Sequence, residues 1–266
     1  MRTISELSSL ARRVALVTGA GGHIGRAIGD ALAEMGAGLI LLDRDEESCR
    51  ESEREISRSR GVSVRSVIAD LERMDDRGIV AEIEKISGRL DILVNCAAFV
   101  GTASLEGWNA PFAEQSAETW RRAVEVNLTA PFVLSRSLAS MLSESGHGSI
   151  INLSSIYGVC APDLSIYEGT DMHNPAAYAA SKAGLLQFTR WLSTVLAPRV
   201  RVNAITPGGV ERGQPRPFID RYAARTPMRR MAREEDMKGA AVFLASDLSA
   251  YVTGQNIVVD GGWSVW

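Results

Sequence analysis

Tyr178 and Lys182 stand at i and i+4 in Tyr178-Ala-Ala-Ser-Lys182, a spacing that puts both side chains on one face of a helix. A phenol with a pKa of about 10 is a poor acid or base at neutral pH. A neighbouring ammonium favours the phenolate, so Lys182 is expected to draw the Tyr178 pKa down toward the working range. Ser155 closes Asn152-Leu-Ser-Ser155 after an apolar run and offers a hydroxyl that can orient a substrate oxygen. These three residues suit proton transfer to and from an oxygen. A second constellation suits a phosphate ligand. Thr18-Gly-Ala-Gly-Gly-His-Ile-Gly25 follows an apolar run and leads into a helical stretch. Its Gly19, Gly22 and Gly25 permit a tight turn, with His23 and Ile24 opening a helix whose amides can take a pyrophosphate. Asp43, at the end of the next apolar run, can accept both hydroxyls of an adenosine ribose and would repel a 2′-phosphate. Ala20, Gly21 and Gly22 carry no charge, so NAD is favoured over NADP.

The elements that must position these residues alternate along the chain. Compact apolar runs occur at Val14–Thr18, Gly38–Leu42, Val64–Ala69, Leu90–Asn95, Ser149–Leu153, Val200–Thr206 and Asn256–Val259. Near-continuous hydrophobicity is what a parallel strand covered on both faces requires. Helix-length stretches lie between them at Ile24–Met35, Glu46–Arg60, Met74–Ser87, Ala117–Ser143, Ala176–Leu196 and Glu234–Ser246. This alternation predicts an α/β fold, a Rossmann-type doubly wound sheet of seven parallel strands in a single domain spanning residues 1–266. Two turn-rich connections, 156–175 and 207–231, break the rhythm and read as substrate loops at the strand ends.

In this order the motifs resemble those of the short-chain dehydrogenase/reductase family over essentially the whole chain. The resemblance adds Asp70 and Leu71 in Ala69-Asp-Leu71 as adenine contacts, and Asn95 and Ala97 in Asn95-Cys-Ala-Ala98 beside the cofactor. It adds Asn127 in Val126-Asn-Leu128, which with Ser155, Tyr178 and Lys182 matches the family's catalytic tetrad, and Pro207-Gly208 and Val259-Asp-Gly-Gly262 further on. It implies that Tyr178 exchanges the proton, Ser155 holds the substrate oxygen, and Lys182 binds the nicotinamide ribose while depressing the Tyr178 pKa. Asn127 would hold a water leading from Lys182 to solvent. Hydride would pass between the nicotinamide and the carbon bearing that oxygen. The long helices Ala117–Ser143 and Ala176–Leu196 would pair with their copies in a homodimer or homotetramer.

The sequence departs from the family pattern in places. His23 stands at the usual middle glycine, giving the Gly-x-x-Gly-x-x-Gly turn of nucleotide-sugar epimerases and dehydratases, an alternative reading. Those enzymes need a substantial C-terminal substrate domain, whereas 60 residues (266 − 206) follow Thr206. A 3-oxoacyl-type carbonyl reductase is a further alternative. A cofactor-sensing module that had abandoned chemistry would be expected to lose Tyr178 or Lys182, and both are present. Cys96 and Ala98 soften the fourth-strand motif. Tyr178 lies 23 positions after Ser155 (178 − 155), a wider gap than is usual in the family. The added segment Cys160–Asn174, with Ile166-Tyr-Glu-Gly169, resembles that of flagellin-modification oxidoreductases linked to sugar biosynthesis. Its Asp163, Tyr167, Glu168, Thr170, Asp171 and His173 suit a sugar or sugar derivative more than an acyl chain.

Composition narrows the classes. The 266 residues are 45% hydrophobic and 23% charged with a formal net charge of −3, which leaves no basic footprint for nucleic acid and no cationic stripe for a membrane. Cys49, Cys96 and Cys160 are odd in number and widely spaced, as in reduced thiols of a cytoplasmic protein. His23, His147 and His173 are too scattered for a metal site or a Ser-His triad, so no metal is expected and the partner is a small molecule.

Overall fold

A computed structural model describes residues 1–99 and 105–266. Its elements run α1 (Ile4–Ser8), β1 (Val14–Thr18), α2 (His23–Glu34), β2 (Gly38–Asp43), α3 (Glu46–Arg60), β3 (Val64–Ile68), α4 (Asp76–Ile86) and β4 (Ile92–Asn95). Then follow α5 (Ala117–Val124), α6 (Ala130–Ser137), α7 (Ala139–Glu144), β5 (Gly148–Leu153), α8 (Ala176–Leu196), β6 (Val200–Pro207), α9 (Arg216–Arg225), α10 (Lys238–Ala245) and β7 (Asn256–Val259).

The seven strands form one all-parallel sheet in the order β3-β2-β1-β4-β5-β6-β7. Strand residues alternate between two apolar layers. Ala15, Val17, Leu39, Leu41, Ile92 and Val94 join Ile28, Leu32 and Leu244 on one face. Leu16, Ile40, Leu42 and Leu93 join Ile83, Leu134 and Leu192 on the other. Both faces of the central strands are therefore covered, which is why these segments read as unbroken apolar runs. The order reverses between β1 and β4, which opens a crevice at the strand C-terminal ends.

Helix boundaries follow capping chemistry. The Asp45 side chain accepts from the Ser48 amide to start α3, and left-handed Gly61 ends it. The stretch Ala117–Ser143 was expected as one helix and is instead interrupted. A π turn over Glu125–Thr129 separates α5 from α6, and Leu138 leaves helical geometry between α6 and α7. Glu234–Met237 is a 3-10 turn leading into α10. Segment 207–231 is not structureless: Pro215 opens α9 within it, and Phe218 and Tyr222 bury their rings against Ile156, Ile166 and Trp263.

Candidate active site

The strand ends and the loops above them enclose a cleft of about 680 Å³. At one end the chain turns from β1 into α2. A Cβ on Gly25 would collide with the Gly19 carbonyl, and one on Gly19 would lie 2.7 Å from the Ala97 Cα, so no larger residue fits this crossing. Among the described residues no side chain caps α2 at Gly22, which leaves its first amides for a ligand. Gly19, Gly22, His23, Ile24 and Gly25 all line the cleft. So do Asp43, Asp70 and Leu71 beyond β2 and β3, Ala97 beyond β4, and Pro207 and Gly208 at β6. One Asp43 oxygen accepts from the Gly21 amide at 2.9 Å and the other from the Asp45 amide at 3.1 Å. Asp70 accepts from the Glu72 amide at 3.0 Å. An uncapped helix start over a glycine crossing, flanked by a carboxylate, fits a dinucleotide.

At the other end Ser155, Tyr178 and Lys182 converge on the same cleft. Ser155 follows β5 and accepts from the Tyr157 amide at 3.2 Å, opening a 3-10 turn over Ile156–Gly158. A Cβ on Gly158 would come within 2.8 Å of the Lys182 backbone, so a glycine lets this turn press against α8 and brings Ser155 to Tyr178. The Ser155 hydroxyl lies close enough to Tyr178 to favour its phenolate. Lys182 is 2% exposed and donates to the Leu153 carbonyl at 2.7 Å.

The electrostatics differ from the expectation that Lys182 draws Tyr178 down. Burial pushes the Tyr178 phenol above its ordinary value, opposed by the Ser155 hydroxyl and by the positive charge of Arg212. Burial likewise lowers Lys182, to about 8. With its nitrogen committed to a carbonyl, Lys182 spends its charge on the backbone more than on the phenol. Desolvation pushes the half-buried Cys96 thiol in the cleft lining up to about 12, which disfavours a nucleophilic thiolate.

Two of the expected residues do not line the cleft. Asn127 is fully buried in the π turn. Its amide oxygen accepts from the Phe99 amide at 2.7 Å and its nitrogen donates to Ser181 Oγ at 3.0 Å, so it braces α8 one residue before Lys182. Asn95 donates to Asn152 at 2.8 Å, and Asn152 to Thr189 at 2.9 Å, tying β4 and β5 to α8. The added segment contributes less to the cleft than its polarity suggested. Of its named polar residues only Tyr167 lines the cleft, while Asp163 pairs with Arg225 at 3.0 Å and the His173 amide binds Asn109 at 2.7 Å. Tyr167 meets Tyr157 hydroxyl to hydroxyl at 2.6 Å and packs on Phe218. Tyr157, Arg212 and Gln214 also line the cleft and were not foreseen. The one available signal was their position just beyond β5 and β6, on the strands that carry Ser155 and Pro207-Gly208.

Comparison with known proteins agrees with this architecture. A family model described as enoyl-(acyl carrier protein) reductase matches residues 19–264. Cis-4-hydroxycyclohexanecarboxylate dehydrogenase from Sinomonas cyclohexanicum is 32% identical over 96% of this chain and 98% of its own. Galactitol 2-dehydrogenase (L-tagatose-forming) from Cereibacter sphaeroides is 35% identical over 95% of each. Among solved structures, a putative NAD(P)-dependent gluconate 5-dehydrogenase from Beutenbergia cavernae with bound NADP is 38% identical. It superposes with a TM-score of 0.85 over 98% of this chain and 100% of its own.

Proposed function

The chain belongs to the short-chain dehydrogenase/reductase family and is a nicotinamide-dependent oxidoreductase, and on that premise we propose that it interconverts a secondary alcohol and a ketone on a sugar or sugar derivative. The observation that carries this reading is the convergence of Ser155, Tyr178 and Lys182 on one cleft with the glycine crossing and Asp43. Relatives acting on galactitol and, by description, gluconate favour a polyhydroxylated substrate, as does the Tyr157–Tyr167 hydroxyl pair. The two named curated relatives are dehydrogenases, which favours hydride transfer over epimerisation or dehydration.

In this mechanism the glycine turn and the start of α2 hold the cofactor phosphates, and Asp43 holds the adenosine ribose in NAD. When bound, the nicotinamide takes up or returns the hydride. Ser155 Oγ holds the reacting oxygen, and Tyr178 Oη takes the hydroxyl proton in oxidation or returns it in reduction. Lys182, fixed by the Leu153 carbonyl, orients the nicotinamide ribose and keeps a positive charge close to Tyr178. Asn127 acts through α8, by holding Ser181. A cytoplasmic site of action agrees with three free cysteines. Pairing of copies through α5–α8 agrees with the exposed Trp191 and Val195 on that face.

The test is absorbance at 340 nm with NAD and NADP against alditols, aldonates and a 3-oxoacyl thioester. Turnover of polyols with loss of at least about 1,000-fold in kcat for Tyr178→Phe, at near-constant cofactor affinity, is the expected result. Turnover of the thioester alone would replace the sugar reading with the acyl one. Substantial activity in Tyr178→Phe would remove that residue from proton transfer.

A further inference from the structure

Charge along the cleft is sorted by strand order. The acidic lining residues Asp43, Asp45 and Asp70 all follow β2 and β3, on one side of the switch point, where Arg44 also lies. On the far side, beyond β5 and β6, the charged lining residues are Lys182 and Arg212. Lys182 is turned to the Leu153 carbonyl. Arg212 is exposed, and among the described residues it forms no ion pair. Its loop is nevertheless pinned. The Gln214 side chain accepts from the Arg212 amide at 2.6 Å and donates to the Val210 carbonyl at 2.8 Å. That bracket fixes the backbone from which the guanidinium reaches the cleft. Its charge is felt at Tyr178, where it favours the phenolate.

We propose that Arg212 is the carboxylate-binding residue of the substrate pocket, and that the substrate is a hydroxy or oxo acid whose reacting oxygen sits on Ser155 and Tyr178. A guanidinium is charged at every working pH and matches a carboxylate with two parallel hydrogen bonds. The carboxylate is a spectator that fixes which hydroxyl reaches Tyr178. The cofactor pyrophosphate is a poorer occupant. It belongs at the start of α2, beyond β1, whereas Arg212 rises from the loop beyond β6, three strands along the sheet. With the cofactor seated over the β1–β3 end, the β6 side of the cleft is left for the substrate carboxylate.

The inference rests on the oxidoreductase reading and sharpens its substrate class, so the test uses three ligand sets: C4–C6 aldonates, the matching alditols, and simple 3-hydroxy acids without further hydroxyls. Wild-type protein is expected to favour aldonates over their alditols in kcat/KM. Arg212→Gln should lower kcat/KM for the acids about 10- to 100-fold, mainly through KM, with alditol KM and cofactor Kd unchanged and any fall in kcat from the charge lost near Tyr178 shared by both ligand sets. Arg212→Lys should recover part of that loss. An equal rise in KM for acids and alditols, or a wild type that prefers alditols, would overturn the proposal while leaving the polyol reading intact. A raised cofactor Kd in Arg212→Gln would assign the guanidinium to the cofactor instead. Turnover of the 3-hydroxy acids alone, sensitive to Arg212, would uphold the carboxylate site and discard the sugar reading. No turnover of any set would overturn both.

Discussion

Lys182 lies one helical turn from Tyr178, yet its ammonium donates to the Leu153 carbonyl at 2.7 Å and stands 5.9 Å from the centre of the Tyr178 ring. The lysine is thus held by β5 while the tyrosine faces Ser155, and burial shifts the two in opposite directions. Burial lowers Lys182 to about 8 and raises Tyr178 above its ordinary value.

The signs give opposite pH profiles for the two directions. Reduction needs neutral Tyr178 and charged Lys182, so its kcat/KM should be level near neutrality and fall as pH rises through about 8. Oxidation needs the phenolate, so its kcat/KM should climb with pH, its plateau set by the raised Tyr178. Initial rates in both directions between pH 6 and 10 check this. A reduction limb that stays flat well above 8 would mean that the charge on Lys182 is not used.

Asp43 is predicted to set cofactor choice. Its carboxylate is anchored by the Gly21 and Asp45 amides, a fixed negative charge that is expected to repel a 2′-phosphate. Wild-type protein should show the higher kcat/KM with NAD, and Asp43→Ala should narrow the ratio at least about 10-fold, aided by the charge of neighbouring Arg44. A wild-type preference for NADP would show that Arg44 governs the site.

Assembly should depend on the outer face of α8. Leu185, Leu186 and Leu192 of this helix are buried in its own protomer, whereas Trp191 and Val195 are 56% and 53% exposed. Phe132 on α6, also exposed, meets Phe188, which stacks on Trp191. An apolar patch of this kind marks an interface. Light scattering at micromolar concentration should give a dimer or tetramer for wild type and a smaller species for Trp191→Glu. A wild-type monomer would refute it.

The central strands were legible because burial on both faces leaves one kind of pattern, as at Val14–Thr18, and the bounds of the partly exposed edge strand Asn256–Val259 also match. Helix α8 was equally plain, since no proline interrupts its apolar periodicity between Pro175 and Pro198. The break at Glu125–Thr129 was not. A π turn adds one residue to a helical turn without changing composition, so periodicity over 27 residues (Ala117–Ser143) hides it. Helix α9 was masked by prolines and glycines that serve as its opening signal rather than as a bar to helix. The glycines of the β1–α2 turn are close together in sequence, and their place between strand and helix was readable. Arg212 and Tyr157 were not, because only the sheet order brings the ends of β5 and β6 together.

Tyr167 tests whether the added segment takes part in recognition. Its ring packs on Phe218, and Ile166 beside it is 2% exposed within the cluster of Tyr222, Met231 and Trp263, so the segment is anchored to α9 by apolar contacts. Its hydroxyl meets the Tyr157 hydroxyl at 2.6 Å on the cleft wall, with Asn174 Nδ2 at 3.5 Å. Burial holds Tyr157 and Tyr167 above the ordinary phenol range, so both stay neutral and keep a donor and an acceptor for substrate hydroxyls. Tyr167→Phe keeps the ring and its packing and removes one hydroxyl. The expected result is a KM for the hydroxylated substrate raised about 5- to 10-fold, with kcat changed less than about twofold and cofactor Kd unchanged. Thermal stability should move little, because the lost phenol pair is offset by removal of a buried polar group. Unchanged KM would make the pair a device for packing the segment onto α9, and a fall in kcat alone would place Tyr167 in the proton path to Tyr178.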